Sequence, residues 1–269
     1  MATFRVVDLS RLLPGPWATK KLVELGFEVT TVELPRLSDP LSSEALLHGG
    51  KERLVVEYRK PEGQARLKEL VAKSDVLVDS FRPGTLERWG LDDAALRAAN
   101  PKLVHCSIVA YPDSRKAAHD LNILAETGWL DLSPALPPTQ IADLAAAELA
   151  LRRILAALLK GGPARLTVTM KEALEDWYPL ARIAKSRADM WWLGGDPFYR
   201  LYRTKDGGQV AVAAVEPAFR SALVNFLGTS DLEAAFASKT LAEWDKALEG
   251  TDFCVSAVRA WETASRAAA

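Results

Sequence analysis

FRVVDLSRLLPGPWATKKLVELGFEVTTVEL, residues 4–34, sets the direction in which the chain builds its sheet. FRVVDLS (4–10) is rich in β-formers and reads as a strand. A helix follows over 14–26, with Pro14 and Gly15 at its start, apolar Trp17, Leu22 and Leu25 along it, and Gly26 as its stop. FEVTTVEL (27–34) is a second strand. Strand, helix and strand within about thirty residues form a βαβ unit, which implies parallel pairing and a right-handed crossover.

The alternation continues downstream. Residues 65–74, 92–100, 140–160 and 171–186 read as helices, and 75–81, 102–111 and 165–170 as strands. The helix over 140–160 is apolar almost all round, which predicts deep packing. YRLYRTKDGGQVAVAAV (199–215) then alternates about Asp206-Gly207-Gly208, a hairpin signal rather than a crossover. PAFRSALVNFLG and LAEWDKALEG read as helices docked on that hairpin. The expected architecture is α/β: a large Rossmann-like parallel-sheet domain over 1–188 and a smaller α+β domain over 189–269. The change of pattern falls near DMWWLGGDP (189–197).

Composition narrows the partners. Lys plus Arg is 34 and Asp plus Glu 35, a formal net charge of -1, which gives no footprint for nucleic acid. No run approaches 18 apolar residues, so no membrane span is expected. Cys106 and Cys254 form no CxxC and fit either a single disulfide or two buried thiols; MATFRVVDLS lacks a secretion signal, so the expectation is a cytoplasmic chain with the thiols.

Neither GxGxxG nor GxxxxGK[ST] is present, which argues against a dinucleotide held on a glycine fingerprint. DSFRPGTLERWG (79–90) is more informative, because Arg82 stands at a strand's carboxyl end, where open α/β sheets bind ligands. Taken alone, Arg82 reads as a surface arginine paired with Asp79 or Glu87. Lys51 and Arg53 follow two glycines and form a second basic cluster, which alone reads as a solvated face. His119, one of three histidines, opens a helix beside Asp120. Asp143, before a long helical run, reads alone as an N-terminal cap, and Glu216 before Pro217 as a favourable helix-start residue. Tyr199 reads as a core aromatic of the hairpin.

Taken together, these segments resemble the family III CoA-transferase and α-methylacyl-CoA racemase family. The resemblance rests on residues 6–34, on DSFRPGTLERWGL, on AHDLNILAETG followed by IADLAAAELALRRILAALL, and on two stretches of the smaller domain, DPFYRLYRTKDGGQVAVAAVEPAFRSALVNFLG and EGTDFCVSAVRAWETA. It implies His119 and Asp143 as a general acid/base pair, with Asp120 beside the histidine and Glu216 from the small domain. It implies Arg82, Lys51, Arg53 and Tyr199 as coenzyme A contacts, coenzyme A as part of the substrate with no tightly bound cofactor, and an interlocked homodimer. In the transferase branch the position of Asp143 is the nucleophile and the histidine is normally absent, so His119 favours the racemase branch. The chain departs from the family at Ala118, before the histidine, and at Ala145, Ala146 and Ala147, where glycines are usual. It also stops at Ala269, short of the usual length. These departures keep two alternatives open, a CoA-transferase using Asp143 and a thioester-binding homologue without catalysis.

Overall fold

The computed structural model describes residues 3–35, 40–41 and 43–261. The chain divides into two compact units, Met1–Pro179 and Leu180–Ala269. The expected change of pattern at 189–197 falls inside the second unit.

The first unit runs β1 (Arg5–Asp8), α1 (Pro14–Glu24), β2 (Glu28–Glu33), α2 (Ala45–His48), β3 (Glu52–Val55), α3 (Pro61–Ala72), β4 (Val76–Asp79), α4 (Thr85–Arg88), α5 (Asp93–Ala99), β5 (Val104–Val109), α6 (Asp120–Glu126), α7 (Trp129–Leu132), α8 (Ile141–Lys160), β6 (Ala164–Thr169) and α9 (Met170–Glu175). Its six strands form one sheet in the order β3-β2-β1-β4-β5-β6, and every pairing is parallel. The opening βαβ unit is therefore as expected, with Val6 in register with Val29 on one side and Val76 on the other. The central strands VLVD and VHCSIV are buried along their whole length. Apolar runs of that kind belong to parallel sheets covered on both faces.

Two layers close the sheet. On one face Val6, Val78 and Cys106 pack under Leu22 of α1 and Ala146 and Ile154 of α8. On the other, Val7, Val32 and Leu77 meet Leu67 and Val71 of α3 and Leu96 of α5. Ala142, Ala145, Ala146 and Ala150 give α8 a small-residue stripe with no exposed surface, so its backbone lies close on its neighbours. The helix is less deeply packed than its composition predicts, because Leu159 is 88% exposed. Cys106 is buried and Cys254 exposed, both free, so only the first is the buried thiol expected. Burial pushes the Cys106 thiol up to about 12.

The helix expected over 171–186 is broken. α9 ends at Glu175, and Pro179 begins the next helix, α10 (Pro179–Ile183). Proline has no N–H to give and its ring clashes with the preceding turn, so one helix cannot run through. At its start α9 carries a full capping box. Glu172 N–H donates to Thr169 Oγ1 at 3.1 Å, and Thr169 N–H to Glu172 Oε1 at 2.9 Å.

The second unit contains β7 (Tyr199–Arg203), β8 (Gln209–Ala213), α11 (Pro217–Leu227), α12 (Leu232–Ala237), α13 (Leu241–Ala247) and β9 (Val255–Ala257). β7 and β8 form the expected antiparallel hairpin, with Tyr199 opposite Ala213 and Arg203 opposite Gln209. β9 adds a third strand on β8 that its three residues do not announce in sequence. Tyr202, Val212, Leu223, Phe236 and Trp244 fill the core. No helix among the described residues is long and apolar enough to cross a membrane.

Candidate active site

The chain builds outward from β1 through β2 to β3, then crosses to β4 and builds the other way. The crevice outside the carboxyl ends of β1 and β4 is thus the switch point where such sheets bind ligands. Both strands end in a buried aspartate that turns the chain. Asp8 Oδ1 accepts the Ser10 N–H at 2.9 Å, and Asp79 Oδ1 accepts the Phe81 N–H at 2.9 Å. Each is an Asx turn, in which a short carboxylate takes the backbone donor two residues on. The turns are tied together where Arg11 N–H donates to Ser80 Oγ at 3.1 Å.

Each aspartate also needs a counter-donor, since a buried carboxylate without one is costly. Asp8 Oδ2 receives Thr19 Oγ1 and, at 3.3 Å, Lys51 Nζ. Lys51 Nζ donates as well to Pro16 O at 2.9 Å and Thr19 Oγ1 at 2.7 Å. Neither the Lys51 nor the Asp8 side chain has exposed surface. Burial pushes the Lys51 ammonium below the usual lysine range, and Asp8 opposes that shift. All three donors are turned inward, away from the phosphate contact expected at Lys51. Arg53 lies on edge strand β3 and pairs with Glu33 on β2, away from the switch point.

Asp79 Oδ2 receives His105 Nε2 at 2.8 Å and Ser107 Oγ, and Ser107 Oγ accepts from Arg165 Nη1 at 2.9 Å. With Asp79 occupied in this way, the Asp79–Arg82 pair considered from sequence is not made. Among the described residues the Arg82 side chain has no hydrogen-bond or ion-pair partner. Pro83 and Gly84 carry the chain into α4, and Gly84 at φ 74 sits in the left-handed region that favours glycine.

A cleft of about 210 Å³ opens beside these turns, lined among others by Phe81, Arg82, Ile108, His119, Asp143 and Met170. His119 is exposed at the N-cap of α6, in extended backbone, and its N–H donates to Asn122 Oδ1 at 3.0 Å. Asp143 lies in the first turn of α8 and is half-buried. Burial above all, and then the nearby Asp120 charge, pushes its carboxyl up to about 7.

Asp120 does not line this cleft. It is buried, and its Oδ1 accepts the Ala142 N–H at 2.6 Å and the Asp143 N–H at 3.3 Å. The cap expected of Asp143 is thus supplied from α6, while Gln140, at the N-cap of α8, makes no side-chain cap. Those two amides are spent on Asp120. Burial raises the Asp120 carboxyl, and the two backbone donors oppose the rise.

Sequence reading missed Ser80 and His105, and gave Asp79 only as a partner for Arg82. The signal was present in the paired strand endings VVDLS and LVDSF, each an aspartate with a serine one or two residues after it. In the second unit, Tyr199 opens β7 with Trp191 edge-on to its ring at 5.1 Å. Glu216 is exposed at the N-cap of α11, where its carbonyl accepts Arg220 N–H at 3.0 Å.

The Asp143 environment has a measurable consequence. The folded chain holds this proton up to about pH 7, whereas an unfolded aspartate releases it near pH ~4. The associated stability is complete below the lower value and is lost as pH rises through the upper one. Asp143→Asn is expected to flatten that stretch of the stability curve, read as urea midpoints from acid to neutral pH. An unchanged slope would place the carboxyl elsewhere on the titration scale.

A doubly wound sheet whose switch-point cleft gathers an arginine, a histidine and a carboxyl held near neutrality defines a ligand-processing α/β protein. The family model for CoA-transferase family III matches residues 1–269, and the chain belongs to that family. It is 32% identical to the α-methylacyl-CoA racemase of Homo sapiens over 297 residues, 96% of this chain and 77% of the human one. Succinate–glutarate CoA-transferase of Agrobacterium fabrum is 31% identical over 155 residues, 49% of this chain and 39% of that one. Among solved structures, the hypothetical protein Rv3272 of Mycobacterium tuberculosis superposes with a TM-score of 0.83 at 26% identity. That match covers 97% of this chain and 84% of that one.

Proposed function

We propose that the chain is an acyl-CoA racemase that inverts the carbon next to a thioester by two-base proton transfer. The supporting observation is one cleft that carries both His119 and an Asp143 carboxyl poised near pH 7. In one direction His119 takes the α-proton, the electron pair moves into the thioester carbonyl as an enolate, and protonated Asp143 returns a proton to the other face. In the reverse direction the roles exchange. A group half-protonated at the working pH serves equally as acid and base. Similarity to the human racemase over nearly the whole chain points the same way. The substrate class is a 2-methylacyl-CoA, and the acting species is a homodimer.

The test is incubation with one epimer of a 2-methylacyl-CoA in D₂O. Racemase action incorporates deuterium at the α-carbon without any acceptor acid. A transferase acting through an Asp143 acyl anhydride incorporates none until an acceptor acid is supplied, and then moves the CoA. A homologue that only binds does neither. Light scattering at micromolar concentration tests the dimer, which a monomeric mass would remove.

In this reading Arg82, with no partner of its own among the described residues, contacts a CoA phosphate. Arg82→Ala is expected to weaken CoA binding by roughly 1.5–3 kcal/mol, the range for a charge-assisted hydrogen bond. Calorimetry should also find wild-type affinity falling with added salt, through screening. Equal affinity in both proteins would take Arg82 out of the site.

A further inference from the structure

We propose that Asp79 and Ser80 are positioning residues that fix the direction of Arg82, so that part of the CoA affinity depends on the hydrogen bonds that hold its loop. This deepens the reading above and rests on Arg82 being the phosphate contact. The structural reason is the short path between them. Asp79 holds the Phe81 N–H at 2.9 Å, and Phe81 is the residue directly before Arg82. Ser80 holds the Arg11 N–H of the neighbouring turn at 3.1 Å, so the loop is pinned on both sides of the switch point.

Asp79 is itself immobile. It is 1% exposed, and His105, 2% exposed, and Ser107 approach its other oxygen from β5. Arg165 on β6 supports Ser107. Two side chains of β5, one of them backed from β6, thus hold one carboxylate whose remaining oxygen holds the loop. His105 Nδ1, on the other side of the ring, is buried without a hydrogen-bond partner. Such a network rigidifies because every other member is satisfied. The Arg82 side chain, by contrast, has no partner among the described residues, so the backbone before it is what limits where it points.

The experiment is a double-mutant cycle on CoA binding by calorimetry, with coenzyme A itself as the probe. Asp79→Ala removes the acceptor for Phe81 N–H and is expected to weaken CoA about tenfold in the wild-type background and less than twofold in the Arg82→Ala background. The salt dependence of binding in Asp79→Ala should fall to that of Arg82→Ala, which a general loosening would not produce. Asp79→Asn, which keeps an oxygen acceptor for the turn, should restore affinity to within threefold. Ser80→Ala removes the tie from Arg11 and leaves the Asp79 turn in place. It should show the same non-additivity at three- to fivefold, and it carries the test if Asp79→Ala does not fold. Equal losses in both backgrounds, or an Asp79→Asn loss as large as that of Asp79→Ala, would overturn the positioning role. Arg82→Ala that binds like wild type would instead overturn the phosphate contact itself.

Discussion

Asp143→Asn is expected to slow α-proton exchange by roughly 10²–10⁴-fold, the usual contribution of a positioned acid or base. His119→Ala should cause a loss of the same order. The two losses should differ in kind, because each group serves one face of the α-carbon. His119→Ala should suppress exchange from one epimer more than from the other, and Asp143→Asn should reverse that preference. Single-turnover exchange in D₂O with each pure epimer reads this directly. The wild-type rate should also depend on pH through a step near 7 that belongs to Asp143 and disappears in Asp143→Asn. Neutral behaviour of both variants would return His119 to an ordinary helix-cap residue. Neighbouring geometry bears on the size of the effect. After this aspartate the chain has Ala145, Ala146 and Ala147, where the family resemblance leads one to expect glycines, and all three are turned into the core. A displacement of 1 Å in such a site can cost ~10²-fold in rate.

Lys51→Met is the second large effect, on stability rather than on chemistry. It leaves the Asp8 carboxylate buried, with 0% side-chain exposure, and without its cation. Removing one partner of a buried pair destabilises by about 3–5 kcal/mol, because the other charge is stranded. Urea unfolding of Lys51→Met near neutral pH should show a loss of that size. The double variant Asp8→Asn, Lys51→Met should recover most of it. Were Lys51 instead a phosphate contact, as the family resemblance implies, Lys51→Met would weaken CoA binding and leave the urea midpoint nearly unchanged. The two roles are therefore separated by one pair of measurements.

Much of the fold was legible because its signals are local. Residues 4–34 carry their own strand, helix and strand, and the runs at 75–81 and 102–111 read as strands from their β-branched residues. The break at Pro179 was also written in the chain, since proline's missing N–H ends a helix wherever it falls. β9 was not legible, because three residues carry no period.

The candidate site divides along the same line. Residue types and family spacing singled out His119, Asp143 and Arg82, and the three line one cleft. Their surroundings came only with the tertiary structure. Asp120 looked like a companion of His119 and instead caps α8, 22 residues further on, through the Ala142 N–H. Lys51 looked like a free cation beside two glycines and is neutralised by Asp8, 43 residues earlier. Asp79 looked like a partner for Arg82 and is engaged by His105 and Ser107 of the next strand. The sequence by itself determined which elements form and which chemistry the chain carries, because propensity and periodicity act over a few residues. Only the tertiary structure decided which charged groups face the cleft and which are spent inside. That choice depends on desolvation and on partners supplied by other strands, and neither is a property of a local stretch of chain.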